Sequence, residues 1–352
     1  MPTLKESLLT AAARTDLLIP SQGPLRRRRA RAWLPWVIAI LAALAVGLLA
    51  GSALAQPYPN RVIKLIVPFS PGGQPDTIAR IIAQHLSVSV GTTIIDNRPG
   101  ANTTIGAKAA IAAEPDGYTL FFGTSTSLAI VPATKPGEYD PLKVFAPVAA
   151  VSSAPFIMAV GPSVPAKTVT DLVTYAKANP GKLNFAAPTG GPPHLAGEMF
   201  KAATGIDIVP VSYRAMNQAF TDLIGNQMDI IFDAPAVLLP LIRDGKVRAL
   251  VAMSAKRPAD LPDVPTMAES GLPDVSLTVW NGLVAPAGTP DAIVARLNAA
   301  TNDGLKSASV KAALAKLGSE PLIGSPQEFA MFIASEGKKW ADVVKRSGLK
   351  VD

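Results

Sequence analysis

Short apolar runs and segments of helical periodicity alternate along the chain from about residue 57. The run VIKLIVPF is typical of a buried strand, and the following PDTIARIIAQHL places its apolar residues on one face of a helix. The same alternation continues through TTIIDNRPG, NTTIGAKAAIAA and YTLFFGTSTS. Strands that alternate with helices predict an α/β fold with a mostly parallel sheet.

A second series of alternating helices and strands begins at Lys167, and two long extended stretches flank it. VAAVSSAPFIMAV precedes this series and SLTVWNGLVAPAGTP follows it, and no clear helical stop interrupts either stretch. We interpret both stretches as crossings between two α/β lobes. On this interpretation, residues 56–155 and 283–352 form the first lobe, and residues 156–282 form the second.

The N-terminal segment, residues 1–55, has the pattern of an export signal. The sequence RRRRAR precedes a long apolar run that ends in Ala53-Leu54-Ala55, a small-x-small cleavage motif. We therefore expect a signal peptide that is cleaved after Ala55. The alternative is an uncleaved membrane anchor, because the run from Trp33 to Ala55 is long enough to span a bilayer. Either interpretation places the rest of the chain outside the cytoplasm.

Most of the net charge of +7 belongs to that N-terminal segment. Residues 1–55 contain seven of the 33 Lys and Arg and two of the 26 Asp and Glu, which leaves 26 basic and 24 acidic residues. A nearly neutral remainder does not predict a nucleic-acid surface. The absence of cysteine excludes thiolate nucleophiles, thiolate zinc sites and iron–sulfur clusters, and the histidines are His85 and His194. Since no cofactor motif is present either, we expect no cofactor.

Two segments of the chain match each other, one in each predicted lobe. KLIVPFSPGGQPDTIAR (64–80) and KLNFAAPTGGPPHLAGE (182–198) align without a gap at Lys, Leu, Gly-Gly and Pro. In each, a strand leads through a Gly-Gly turn into a helix, whose unpaired N–H groups and dipole favour an anion. Phosphate is disfavoured because Gly-Lys-Ser/Thr is absent. An ordinary turn with a helix cap is the alternative to a carboxylate site formed by Pro71, Gly72, Gly73, Gly190 and Gly191.

Other polar residues follow predicted strands, and each has a structural alternative. Thr124 and Ser125 follow YTLFFG, where their hydroxyl groups contact a ligand or cap a helix. Asp233 ends MDIIFD, where it accepts a hydrogen bond from a ligand amine or hydroxyl, or caps the next helix. Arg214 follows IVPVSY, where it pairs with a carboxylate or forms a surface salt bridge.

Each predicted helix start also has one ionisable side chain. Asp76 lies in the first turn of the first helix, where it is a partner of the helix dipole or a contact for a ligand amine. His194 lies at the start of the second helix, where capping or packing competes with a role as a ligand contact. Both residues are therefore candidates for the same site.

The motifs VPFSPGGQPDTIAR, DNRPGANTTIGAKAAIAAEPDGYTLFFGTS, PPHLAGEMF and WNGLVAPAGTP together resemble the Bug-type substrate-binding proteins of tripartite tricarboxylate transporters. The resemblance extends from about Tyr58 to Asp352. It implies a periplasmic protein with the two-lobed "Venus flytrap" fold and two hinge crossings, which closes on a small carboxylate. By the same resemblance, the ligand contacts are Pro71 to Gly73, Thr124, Ser125, Gly190 to His194 and Asp233.

The resemblance further implies a monomeric binding protein that delivers its solute to membrane transporter subunits and is not an enzyme. A sensor that signals to a membrane receptor is the alternative, because both roles use the outer surface of the closed form. No nucleophile–base pair in the sequence supports an enzyme. Two departures from the residues frequent in the family leave the substrate open: Pro192 and Pro193 replace Ser or Thr, and Arg214-Ala215 replaces Lys-Gly.

Overall fold

A computed structural model describes residues 58–213 and 216–347, with Trp36 and Ala39 as isolated positions before them. The predicted signal peptide or anchor otherwise lies outside the described residues, and so does the candidate ligand contact Arg214. None of the helices within the described residues is long and apolar enough to cross a bilayer.

The described residues contain eleven strands, which are numbered in chain order. Most are short, and their central residues are buried. They are β1 (Ile63–Val67), β2 (Thr93–Asn97), β3 (Thr119–Thr124), β4 (Phe145–Pro155), β5 (Ile157–Val160), β6 (Asn184–Ala186), β7 (Val209–Val211), β8 (Ile230–Asp233), β9 (Arg248–Ala252), β10 (Thr278–Pro286) and β11 (Glu320–Pro321).

Helices connect these strands and cover the sheets. Two short helical turns, Ala101–Thr103 and Thr126–Ile130, follow β2 and β3. The α-helices of the described residues are α1 (Gln74–Ser89), α2 (Thr104–Ile111), α3 (Val131–Thr134), α4 (Pro141–Val144), α5 (Val169–Ala178), α6 (Pro192–Thr204), α7 (Met216–Ile224), α8 (Pro235–Arg243), α9 (Asp291–Lys306), α10 (Ala308–Ala315) and α11 (Pro326–Ser347).

The strands form two mixed sheets, with the orders β11-β4-β10-β3-β1-β2 and β7-β6-β8-β5-β9. In the first sheet β1 is parallel to β2 and β3, and β10 is antiparallel to β3 and β4. In the second, β6 is parallel to β7 and β8, and β5 is antiparallel to β8 and β9. The predicted α/β class is confirmed. The predicted mostly parallel sheet is wrong, because the crossing strands enter both sheets antiparallel.

Two extended passages connect the sheets, and hydrogen bonds join them side by side. The first lies at Phe156, between β4 in the first sheet and β5 in the second. Phe156 N–H donates to Leu277 O (3.0 Å), and Met253 N–H donates to Phe156 O (2.8 Å). The predicted boundary at 282/283 falls inside β10, which begins at Thr278 in the first sheet. The passage therefore precedes that boundary, because the Asn281-Gly282 pair in this stretch lies within β10 and does not mark the change of sheet.

The C-terminal helices pack on the first sheet within one compact unit, Tyr58–Asp352. Helices α9 and α11 both contact β4. Trp280 of β10 is 1% exposed, and its indole N–H donates to Glu336 Oε2 of α11 at 3.0 Å. This helix therefore completes the core beneath the first sheet.

Candidate functional site

The first Gly-Gly loop connects β1 to α1 and is exposed at Pro71, Gly72 and Gly73. Gly72 has φ +89°, a left-handed conformation that glycine adopts without the steric cost of a side chain. Gly73 is extended (φ −75°, ψ 166°) and directly precedes the helix, with no side chain capping it. The N–H groups of Gly73, Gln74 and Asp76 have no hydrogen-bond partner among the described residues. They leave an uncapped helix start that faces solvent.

The second Gly-Gly loop repeats this backbone conformation between β6 and α6. Gly190 has φ +70°, and Gly191 is extended (φ −86°, ψ 170°) immediately before the helix. Here Gly190 and Gly191 are buried, and Gly191 N–H donates to Pro188 O at 2.9 Å. The match between the two segments in the sequence is thus a match in backbone geometry.

The two helix starts differ in how many backbone donors they leave available. Pro192 and Pro193 occupy the first two positions of α6 and have no N–H group. Within the described residues, His194 N–H is the remaining donor at this end without a partner, because Leu195 N–H bonds to Gly191 O. The first helix start therefore leaves more backbone N–H donors available than the second.

The Asp76 carboxylate holds the first Gly-Gly loop in place. Oδ2 accepts from Gly72 N–H (2.9 Å) and from Arg80 Nε (2.8 Å), while Oδ1 accepts from Asn97 Nδ2 (2.8 Å). Burial of Asp76 opposes ionisation, but hydrogen bonds from Arg80, Asn97 and Gly72 outweigh it and lower the pKa. Both carboxylate oxygens thus have protein partners, which fits the structural alternative; a ligand contact by Asp76 stays a prediction.

His194 occupies the equivalent position in the second loop. Gly190 N–H donates to His194 Nδ1 at 3.2 Å, just as Gly72 N–H donates to the side chain four residues on. Burial lowers the pKa of His194, against a rise from Glu198 and with a further decrease from Lys201. A neutral ring with an accepting Nδ1 agrees with this direction. We did not predict this correspondence of side chains, although the gapless alignment pairs the two positions.

Thr124 and Ser125 end β3 at a buried turn. Thr124 N–H donates to Ser127 Oγ at 2.9 Å, and Ser127 Oγ donates back to Thr124 O at 3.2 Å. Thr124 is 4% and Ser125 1% exposed. These contacts fit the capping alternative for Thr124, because its groups bond within the turn. The Ser125 hydroxyl makes no hydrogen bond within the described residues and stays a candidate ligand contact.

Asp233 ends β8 and is half-buried. Its Oδ1 accepts from Ala234 N–H at 2.7 Å, directly before α8. Burial raises the pKa of Asp233 to about 7, and the Ala234 hydrogen bond opposes that rise only in part. Among the described residues, no Lys or Arg forms an ion pair with this carboxyl group. The group can therefore be neutral near pH 7 and donate a hydrogen bond.

The predicted residues lie on loops that gather at one edge of each sheet. Parallel β1, β2 and β3 all end at the same edge, and so do β6, β7 and β8. Asn102 Nδ2, after β2, donates to Gly190 O of the second loop at 3.4 Å. Gly318 packs against Pro235 at the start of α8, and Gln74 Nε2 donates to the adjacent Leu317 O at 3.0 Å. These contacts bring the two sheet edges close together.

The contacts of Gln74, Asn97 and Asn102 were not predicted from the sequence. Asn97 Nδ2 donates to Phe69 O (3.0 Å) as well as to Asp76, so it connects β2 to the first loop. A polar residue at the end of a parallel strand is a signal for such a role, and Asn97 has that position. Within the described residues, no group of three His, Asp or Glu side chains could hold a metal ion.

Comparisons with known proteins point to one group of transport proteins. A family model described as "Tripartite tricarboxylate transporter family receptor" matches residues 78–349. Protein BugT of Bordetella pertussis (strain Tohama I) is 36% identical over 307 residues, which cover 86% of this chain and 94% of BugT.

Two solved structures with a bound carboxylate are similar to the chain. R. palustris Rpa4515 with adipate has a TM-score of 0.78 and 34% identity, covering 83% of this chain and 99% of that one. MatC from Rhodopseudomonas palustris with bound malate has a TM-score of 0.74 and 32% identity, covering 82% and 100%. Both similarities extend over nearly all the described residues.

Proposed function

Since the chain belongs to the tripartite tricarboxylate transporter receptor family, and is of the Bug type within it, we propose that it captures a small carboxylate in the periplasm and delivers it to membrane subunits of such a transporter. The resemblance read from the sequence motifs is confirmed, and with it the two-lobed α/β fold. Adipate and malate, bound by two relatives, are both dicarboxylates. They support a small dicarboxylate as the solute.

The matched Gly-Gly helix starts are the observation that supports this function best. In both loops a left-handed glycine is followed by an extended glycine and then by a helix. Such a start offers backbone N–H groups and the positive end of a helix dipole, which together favour negative charge. A carboxylate matches this site in charge and in its need for several donors.

The first loop is the anchor for one carboxylate in this proposal. The N–H groups of Gly73, Gln74 and Asp76 replace part of its hydration shell, and hydrogen bonds to a charged acceptor contribute about 1.5–3 kcal/mol each. The Asp76 side chain fixes the loop from behind through Gly72 N–H. The anchor is therefore formed before the ligand arrives.

The second lobe contacts the other end of the ligand with fewer backbone donors. His194 N–H contributes one, because Pro192 and Pro193 contribute none. Asp233 adds a hydrogen-bond donor while it is protonated, which the raised pKa of about 7 allows near neutral pH. The side chains of the second lobe therefore determine which chemical group the protein accepts at the other end of the solute.

Closure of the lobes about the two passages completes capture. Phe156 and Leu277 lie side by side at these passages, so small changes in backbone angles there move one sheet against the other. A ligand that contacts both loops binds the closed form more tightly and shifts the population toward it. The closed form then presents its outer surface to the transporter.

The same contacts favour binding over catalysis. His194 Nδ1 accepts from Gly190 N–H, so within the described residues it is not placed as the base of a nucleophile. We therefore propose that the protein is a monomeric binding protein and not an enzyme. Signalling to a membrane receptor, rather than delivery to a transporter, is the competing role for the same closed form.

Ligand screening by thermal unfolding tests the proposal directly. Protein purified after expression of the full chain is mixed with adipate, malate and other mono- and dicarboxylates, with phosphate and neutral diamides as controls. A ligand at 100 times its Kd stabilises the folded state by about 2.7 kcal/mol, which gives a clear increase in Tm. We expect the increase only with carboxylates. An increase with phosphate alone, or with no compound, would contradict the proposal.

A further inference from the structure

Three consecutive residues after β2 adopt left-handed backbone conformations, and none of them is glycine. Ala101, Asn102 and Thr103 have φ values of +45°, +52° and +76°. Such values are uncommon for any residue with a side chain and are outliers for β-branched Thr103. Runs of strained backbone cluster where a protein binds or turns over a ligand, because the surrounding structure must hold them in place.

The hydroxyl group of Thr103 is buried and unpaired. Thr103 is 4% exposed, and its Oγ1 has no hydrogen-bond partner among the described residues. Thr103 directly precedes α2, a position where threonine ordinarily bonds to the helix N–H groups, but its side chain makes no such bond here. A buried hydroxyl without a partner destabilises the protein unless a ligand or water supplies one.

The segment around Thr103 contacts both Gly-Gly loops and the turn that follows Ser125. Gly106 of α2 packs directly against Pro68, where the first Gly-Gly loop begins. Residues 101–103 also pack on the 126–130 turn that follows Ser125. On the other side, Asn102 Nδ2 reaches Gly190 O of the second Gly-Gly loop at 3.4 Å.

The Thr103 side chain is buried at this junction. Its neighbours Asn102 and Thr104 line an open groove of about 390 Å³ that also includes Lys108 and Thr189. Thr103 is not part of that lining, and its side chain is buried. The hydroxyl group is therefore enclosed at this junction and does not open onto the groove.

We propose that Thr103 is a specificity-determining ligand contact, whose hydroxyl donates a hydrogen bond to a carboxylate oxygen of the bound solute. This inference rests on the proposed function and adds a residue to its site. The start of α2 directs its positive dipole end to the same place, which favours a charged acceptor over a neutral one. A bound carboxylate would supply the partner that the buried hydroxyl lacks.

Replacement of Thr103 by valine tests this role, because valine keeps the shape and removes the hydroxyl. The carboxylate that stabilises the wild type most in a panel of adipate, malate and succinate is titrated by calorimetry. We expect Thr103→Val to raise its Kd at least about tenfold, the effect of one charge-assisted hydrogen bond. The Tm without ligand should stay the same or increase, because an unpaired buried hydroxyl is lost.

Thr104→Val is the matched control, since it makes the same change at the next residue, on the groove side. Its Kd should stay within about threefold of the wild type. If Thr103→Val does not fold, Thr103→Gly also removes the hydroxyl while relieving the left-handed strain, and should show the same loss of affinity with an increased Tm.

Three results separate the possible failures. Wild-type affinity in Thr103→Val or Thr103→Gly would overturn the assignment of Thr103 while leaving the proposed function intact. A lower Tm without ligand in Thr103→Val but not in Thr104→Val would overturn it too, because the hydroxyl would then have a structural partner. Absence of binding by the wild type to every carboxylate would overturn the proposed function itself.

Discussion

Asp233 is the candidate contact whose ionisation lies closest to neutral pH. Desolvation raises its pKa to about 7, and the one hydrogen bond from Ala234 N–H does not reverse the rise. Below that pH the neutral carboxyl can donate to an anionic ligand. Above it, the charged carboxylate repels the same ligand, so one proton decides between attraction and repulsion.

Affinity for a carboxylate should therefore decrease as the pH rises through the pKa of Asp233. We expect Kd to increase by up to about tenfold per pH unit above about pH 7, since one proton is linked to binding. Asp233→Asn should remove most of this dependence, because the amide stays neutral. Calorimetric titrations between about pH 6 and pH 8.5 check this; an unchanged pH profile in Asp233→Asn would assign the linkage to another group.

The raised pKa also affects the unliganded protein. A carboxyl group whose pKa is higher in the folded than in the unfolded state stabilises the fold most at low pH. That contribution is present below the unfolded value near 3.9 and is lost as the pH rises through about 7. The contribution of Asp233 to the free energy of unfolding is therefore smaller above about pH 7 than below it.

At the level of single residues, ligand contacts at the positions proposed from the sequence stay predictions, and the structure shows which of these side chains already have protein partners. Thr124 and Asp76 were predicted as possible contacts, and both have side-chain bonds within their own loops. Thr103 was not predicted, because its left-handed conformation and its unpaired hydroxyl arise from three-dimensional packing. Helix starts follow from local sequence, whereas the partner of a hydroxyl depends on residues far along the chain.

Each helix start of the site is built as a unit of loop, glycine pair and bracing side chain. Asp76 braces the first unit and His194 the second, each four residues after its left-handed glycine. The left-handed glycine of each pair was predictable from the sequence, because few other residues adopt a positive φ. The bracing roles of Asp76 and His194 were not predictable, because aspartate and histidine differ chemically and nothing in the sequence marks them as equivalent.

Loss of the first brace should destabilise the protein at neutral pH. Asp76→Asn removes the charge that Arg80, Asn97 and Gly72 satisfy, which we expect to lower the free energy of unfolding by about 1–3 kcal/mol. Folding lowers the pKa of Asp76. The difference in the free energy of unfolding between wild type and Asp76→Asn should therefore be present above the unfolded pKa and become smaller in acid.

Urea unfolding at about pH 7 and about pH 3 measures this difference. Asp303→Asn is a suitable control, because that side chain is 74% exposed and lies 3.9 Å from Lys306. Equal effects of the two substitutions at neutral pH would show that Asp76 does not brace the loop.

For the whole molecule, the chain builds two similar sheets and brings their edges together. Both contain three parallel strands beside one antiparallel crossing strand. The alternation of strands and helices predicted the class and the two units. The direction of the crossing strands and the position of the second passage were not predicted, because the extended pattern continues from one sheet into the other without a break at Leu277.

Binding of a carboxylate at the first Gly-Gly loop is the central claim, and Gly73→Asp tests it most directly. Gly73 has φ −75°, and a Cβ added there meets no atom closer than 3.8 Å, so the backbone accepts a side chain at this position. The added carboxylate would occupy the helix start and repel the ligand. Gly337→Asp, whose side chain also meets nothing, is the control for added charge.

The measurement is the calorimetric Kd of the best carboxylate for the wild type and both variants. We predict that Gly73→Asp weakens binding by at least about a hundredfold, as expected when two or more charge-assisted hydrogen bonds are lost, while Gly337→Asp binds like the wild type. Wild-type affinity in a folded Gly73→Asp protein would contradict the account, because the ligand carboxylate would then bind elsewhere.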